Sequence, residues 1–222
     1  MAASSARRET LQRLAALAGC ALPHAAFGRD ADKPGPLRAN VDYRLIAPQP
    51  VPPGSIEAVE FFWYGCPYCF RFHPYFERWT RRQRADVAVR LVPAVFRPSW
   101  VPHARLYYTL ESLDALARLH GEVYVSYHVE RIALDSTDSI ADWAQRHGLD
   151  REHWLSVYES DAVDARVFDA RDQLRRYEVT GTPSVVIDGR YLTSSGMTPG
   201  VAAMVPVLDG LVALARGQHT LR

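Results

Sequence analysis

Ile56 to Tyr64 (IEAVEFFWY) is a near-continuous apolar and aromatic run, the pattern of a central strand buried on both faces. Gly65 breaks it, and Cys66-Pro67 opens a helical pattern that runs to about Arg84. Proline suits the first helical position, where its missing N–H has no partner anyway. Pro74 lies inside this helix and is expected to kink it. Val87 to Val92 (VAVRLV) reads as a second strand, which makes a βαβ unit with two cysteines at its strand-to-helix turn. Tyr43 to Ile46 precedes the unit as a short edge strand, separated from it by the proline-rich turn at 48–53.

From about Pro98 to Tyr177 the apolar spacing moves toward 3.6. The pattern predicts helices over Ala104 to His120, Val123 to Ile132, Ser139 to His147, Arg151 to Ser160 and Asp161 to Tyr177, with Gly121 and Gly148 as C-caps. Strand signals return at Pro183 to Ile187 and Arg190 to Thr193, joined by a tight turn at Asp188-Gly189. Val201 to Arg216 closes the chain as an amphipathic helix. The expected fold class is α/β, a βαβ half and a ββα half split by a helical insertion.

Composition narrows the function classes. The 222 residues are 48% hydrophobic and 23% charged, enough for a buried core. A net charge of +1 argues against a dedicated nucleic-acid binder. No run of about 18 apolar residues exists, which excludes a polytopic membrane protein. Three cysteines are too few for a disulfide-dense scaffold or a four-thiolate zinc site.

The N-terminus reads as an export address. Arg7 and Arg8 precede an apolar run, Leu14 to Leu22, and Ala26-Phe27-Gly28 offers small residues for cleavage. The arginine pair with Leu11 matches a twin-arginine signal in part. Leu17-Ala18-Gly19-Cys20 also resembles a lipoprotein box, so Cys20 is either discarded with the signal or lipidated. The expected division is a signal peptide at 1–28, a linker at 29–41, α/β segments at 42–97 and 178–222, and a helical insertion at 98–177.

The chemistry sits at Cys66-Pro67-Tyr68-Cys69. Thiols at i and i+3 on a first helical turn can close a small disulfide ring, and unpaired N–H groups there favour a thiolate on the first of them. Pro67 and Tyr68 tune the polarity around the sulfurs. Half a zinc site and a buried structural disulfide are the alternatives, but no second pair supplies the further ligands zinc needs. Far along the chain, Gly181-Thr182-Pro183-Ser184 stands just before a strand, and Pro183 is a candidate cis proline, with an ordinary trans turn as the alternative. His73 and the basic helix end at Arg78, Arg81, Arg82 and Arg84 read as surface. His103, His120, His128, His147 and His153 show no ligand spacing. Trp63, beside the turn, is a candidate reporter of redox state.

Phe61 through Cys69, the insertion and the Thr182-Pro183 hairpin together resemble the DsbA family of periplasmic thiol:disulfide oxidoreductases with a thioredoxin-like fold. The resemblance spans about residues 42 to 215. It implies that Cys66 is the exposed attacking thiol and Cys69 the buried resolving one. Pro183 would face them, with Thr182 offering backbone groups to a substrate strand. It further implies that Glu60 is a buried acid relaying a proton to or from Cys69, on the strand face shared with Phe62 and Tyr64. Phe61, Phe62, Tyr64, Tyr68 and the Thr182-Pro183 loop are expected to line a rim that holds unfolded chains.

No cofactor beyond the Cys66–Cys69 disulfide and no metal is implied. The implied partners are reduced exported proteins and a DsbB-type, quinone-linked membrane reoxidant. The dipeptide Pro67-Tyr68 departs from the Pro-His common in strong oxidases of the family. With Thr182 it resembles the isomerase-like DsbG, whose N-terminal dimerisation domain would not fit within residues 29 to 56, and a monomer is therefore expected. A periplasmic reductase or isomerase is thus the alternative function, and a chaperone-like binding module with a merely structural disulfide the third.

Overall fold

The computed structural model describes residues 36–220. The expected signal peptide, Cys20 and the linker residues 29–35 lie outside them. Residues 36–41 are less of a linker than their composition suggested. Leu37 packs into the core under the C-terminal helix, and the Arg38 guanidinium pairs with Asp42 at 3.0 Å.

Five strands form one mixed sheet in the order β1-β5-β4-β2-β3: β1 (Arg44–Leu45), β2 (Ile56–Phe62), β3 (Val87–Pro93), β4 (Ser184–Ile187) and β5 (Tyr191–Ser194). β2 runs parallel to β3 and antiparallel to β4, so it has no free edge. All seven of its residues are buried. On one face, Ile56 and Ala58 meet Phe72, Phe76 and Trp79 of α1 (Pro67–Arg81) and the apolar stripe of α7 (Met204–Thr220). On the other, the Phe61 ring lies 5.3 Å from Tyr177, at the end of α6 (Asp161–Arg176). Glu57 is buried there with its charge matched by Arg90, 3.0 Å away on β3. The β4–β5 turn has positive φ at Asp188 (54°) and Gly189 (64°), as the Asp-Gly pair predicted.

The insertion between β3 and β4 consists of α2 (Val101–Ser112), α3 (Leu116–His128), α4 (Thr137–Arg146), α5 (Arg151–Tyr158) and α6. Its later N-termini follow local signals. Ser136 and Ser139 form a capping box, Asp150 accepts from the His153 N–H, and Ser160 accepts from the Val163 N–H. Its first half departs from the expected helices. The break falls at 113–115, not at Gly121, which lies inside α3. A Cβ on Gly121 would stand 3.3 Å from His73 Nε2, so the missing side chain lets α3 approach α1.

Candidate functional site

The end of β2, the start of α1 and the loop before β4 meet at the cysteines. Cys66 is the N-cap of α1, with extended backbone (φ −83°, ψ 119°), and Pro67 follows in the first turn. The Cys66 N–H donates to the Trp63 carbonyl at 3.0 Å, which curls the chain from strand into helix. Gly65 is required by what lies over it, since a Cβ there would fall 2.3 Å from the Trp63 ring. That ring stacks on Trp100 at 3.9 Å, which fixes the turn against the start of the insertion. The Thr182–Pro183 peptide is cis, and the Thr182 carbonyl oxygen lies 3.3 Å from Cys66 Sγ.

Both cysteines are thiols in this structure, and their environments separate them sharply. The Cys66 pKa is lowered to about 5, first by a hydrogen bond from the Cys69 thiol. The Thr182 side chain and the backbone N–H groups of Cys69 and Tyr68 add to this against the opposing effect of burial. Cys69 moves the other way. Its thiol is pushed well up by burial, then by its bond to Cys66 and by the charges of Cys66 and Glu60. One thiol is therefore ionised at neutral pH and its neighbour is not. The reduced protein is expected to gain its ultraviolet thiolate absorbance with a midpoint near pH 5. A midpoint at about 8.5, the ordinary cysteine value, would contradict this assignment.

Glu60 is 2% exposed, and burial raises its pKa to about 8. It is a buried acid beneath the cysteines, not a solvated residue near a strand end. Three expected rim residues, Phe61, Phe62 and Tyr64, are elsewhere. Phe62 and Tyr64 are wholly buried, as is Phe61, so none of them can touch a substrate. The reason is the insertion, whose rings cover that end of β2. Phe62 lies 5.2 Å from both Tyr107 and His120, and Tyr64 lies 5.0 Å from Tyr124. Tyr68 does face solvent, at 51% exposure, with the Arg71 guanidinium 4.5 Å above its ring.

Sequence spacing missed a histidine cluster behind the turn. His73 is not a surface residue. It packs 5.0 Å from His120 and 5.2 Å from Tyr124, and burial lowers its pKa. His120 Nδ1 is 2.7 Å from the Tyr64 hydroxyl, and burial holds this imidazole neutral down to about pH 3. His103 is likewise lowered by burial, to about 4. His128 Nε2 lies 2.7 Å from the Tyr64 carbonyl oxygen, to which it donates, while its ring stacks on Phe70 at 4.8 Å. The last turn of α3 is thereby tied to the residue just before Gly65. Only the fold unites these side chains, because they come from positions up to 64 residues apart in the chain. Among the described residues no three His, Cys, Asp or Glu side chains converge as metal ligands.

Comparison with known proteins places this site in context. Residues 57–207 match the family model of the DSBA-like thioredoxin domain. The thiol:disulfide interchange protein DsbA of Pseudomonas aeruginosa is 35% identical over 173 residues, covering 78% of this chain and 82% of that one. The DsbA of Burkholderia cepacia is 31% identical over 190 residues, covering 84% and 90%. The crystal structure of Pseudomonas aeruginosa DsbA superposes with a TM-score of 0.79 at 33% identity, covering 83% of this chain and 97% of that one.

Proposed function

We propose a working cycle for this chain, which belongs to the DSBA-like thioredoxin domain family and is a thiol:disulfide oxidoreductase that introduces disulfide bonds into other proteins. The observation that carries the cycle is the opposed displacement of the two thiols, Cys66 down to about 5 and Cys69 well up. In the oxidised protein a substrate thiolate attacks Cys66 Sγ, and the Cys66–Cys69 bond breaks. Cys69 leaves with the electron pair and takes a proton, for which Glu60, protonated at neutral pH, is the source. A second substrate thiolate then attacks the substrate sulfur of the mixed disulfide. Cys66 departs as a thiolate, the substrate gains a disulfide, and the protein is left reduced.

A leaving group with a pKa near 5 needs no proton at neutral pH, which favours this last step. The Thr182 carbonyl and the cis Pro183 are the docking edge for the substrate backbone, and Pro67 and Tyr68 tune the sulfurs. The substrates are reduced exported proteins in the periplasm, the protein acts as a monomer, and a DsbB-type quinone-linked membrane protein restores the disulfide.

The direction of flow follows from the same thiolate. At pH 7 the Cys66 thiolate lies two pH units above its midpoint, stabilising the reduced form by on the order of 3 kcal/mol, or roughly 60 mV for a two-electron couple. A depressed pKa contributes stability that is complete only above the ordinary value near 8.5 and is lost as pH falls through about 5. Equilibration with glutathione buffers at pH 7, followed by thiol trapping, is expected to give a potential above about −180 mV. A value at or below about −230 mV would reverse the assignment to a reductase.

A further inference from the structure

A groove of about 670 Å³ opens beside the cysteines, between the segment that follows β3 and the loop that leads into Thr182-Pro183. One wall is Val95 and Phe96; the other is Leu174, Val179 and Thr180; arginines stand around it. Both of its walls lead along the chain toward the thiol site. Ala94, next to Val95, donates its N–H to the Phe62 carbonyl at 2.7 Å, so this wall leaves the sheet at the same end as Trp63, Gly65 and Cys66. Phe96 abuts Trp100 (5.4 Å), which stacks on Trp63, making an aromatic row from the cysteine turn to the groove. On the opposite wall, Thr180 is two residues from Thr182, whose carbonyl touches Cys66. Two extended residues span about 7 Å. An extended chain lying on the Thr182 backbone with its cysteine at Cys66 thus enters this groove within a few residues.

The groove is basic. Arg44, Arg171 and Arg175 line it, against the single acid Glu178. Glu178 is already engaged, accepting from Arg44 at 2.5 Å. Arg175 is paired only with Asp172 of its own helix, and Arg171 has no ion-pair partner among the described residues. Phe168, 65% exposed, stands one helical turn before Arg171 on the same face of α6. Exposed aromatic rings beside the unpaired Arg171 and an Arg175 held only by its own helix suit a chain with carboxylates next to apolar residues.

We propose that this groove selects among thiol substrates, favouring unfolded segments that carry Asp or Glu a few residues from the reacting cysteine, with Arg171 and Arg175 as the specificity-determining residues. The inference rests on the oxidase reading above and refines it. Screened charge pairs at the surface are worth little singly, so the preference is a modest one, set by two arginines together.

The test uses the oxidised protein and three single-cysteine peptides: one neutral, one with aspartates two to four residues before the cysteine, and one with them after it. Mixed-disulfide formation is followed by quenched flow and mass spectrometry. Each rate is divided by the same peptide's rate with a small aromatic disulfide, which removes the influence of flanking charge on the peptide's own thiol. One of the acidic peptides is expected to react about three- to ten-fold faster than the neutral one at low salt. The advantage should vanish in the R171E/R175E double variant and at high salt, while the neutral peptide's rate stays unchanged. Equal normalised rates, or a preference that survives charge reversal, would overturn the proposal and leave the oxidase reading intact. Failure of the wild-type protein to form a mixed disulfide with any peptide would overturn the oxidase reading, and the groove's selectivity with it.

Discussion

Glu60→Gln is expected to raise the unfolding free energy at pH 7 by about 2–4 kcal/mol, a large share of the stability of a domain this size. Burial lifts the Glu60 pKa to about 8, several units above that of a carboxyl group in an unfolded chain. The folded protein therefore holds a proton that the unfolded chain releases. Below about pH 4.5 both states are protonated and Glu60 carries no penalty. As pH rises toward 8 the unfolded state gains the advantage of ionising, and the penalty grows to its full value above 8. Glutamine keeps the shape without the titration, so the two stability curves should converge in acid and separate as pH rises through this window.

The substitution also bears on the chemistry. Without a protonated Glu60, the Cys69 thiolate released on substrate attack has lost its proton source. Formation of the mixed disulfide should slow at neutral pH, with a weakened pH dependence between 6 and 9. Unfolding curves for both proteins at pH 4.5 and 8, together with that rate profile, decide the matter. A gain in stability that is the same at both pH values would mean that Glu60 is not held protonated. A changed stability with an unchanged rate profile would confine Glu60 to a structural role.

Removal of Cys66 has the largest effect on activity. Cys66→Ala should abolish disulfide transfer to a reduced protein by about three orders of magnitude or more, because no other described sulfur is placed to take the attack. Cys69→Ala should behave differently. Cys66 retains its thiol but loses the hydrogen bond that contributes most to lowering its pKa, so its midpoint rises from about 5 toward the ordinary value. Mixed disulfides formed through it, supplied by a small disulfide reagent, should persist because the resolving thiol is gone. Thiol trapping on gels separates these outcomes. Retention of full transfer by Cys66→Ala would favour the chaperone-like reading, in which the pair is only structural.

Much of this was legible because it is local. The Cys-Pro-Tyr-Cys turn, the buried run of β2 and the Asp188-Gly189 hairpin each declare themselves within ten residues. Three helix ends show where local reading stops. Ala115 N–H to the Leu110 carbonyl (2.7 Å), Leu149 to Ala144 (3.1 Å) and Val179 to Leu174 (2.9 Å) are the same six-residue closure. Each places the preceding residue at positive φ: Asp114 at 51°, Gly148 at 82° and Glu178 at 51°. Only Gly148 announces itself in the sequence. At Asp114 the surrounding packing imposes what glycine would have offered freely, and the break in the expected long helix was invisible for that reason.

Gly121 misled in the opposite sense, leaving room for His73 and not stopping a helix. Phe62 and Tyr64 looked like rim residues because the aromatic rings that cover them arrive from Tyr107, His120 and Tyr124, more than forty positions away. The same distance concealed the histidine cluster.

The bond between Cys66 and Thr182 links positions 116 residues apart. A ribosome delivers the cysteine pair early and the threonine late, with α7, which helps bury α1, later still. A helix of 15 residues hardly persists alone in water. A chain that ends before Thr182 therefore lacks this contact, and α1 without α7 lacks part of the packing that holds Cys66 and Cys69 in their bonded geometry. The lowered pKa of Cys66 is therefore expected of the folded protein and not of the nascent chain.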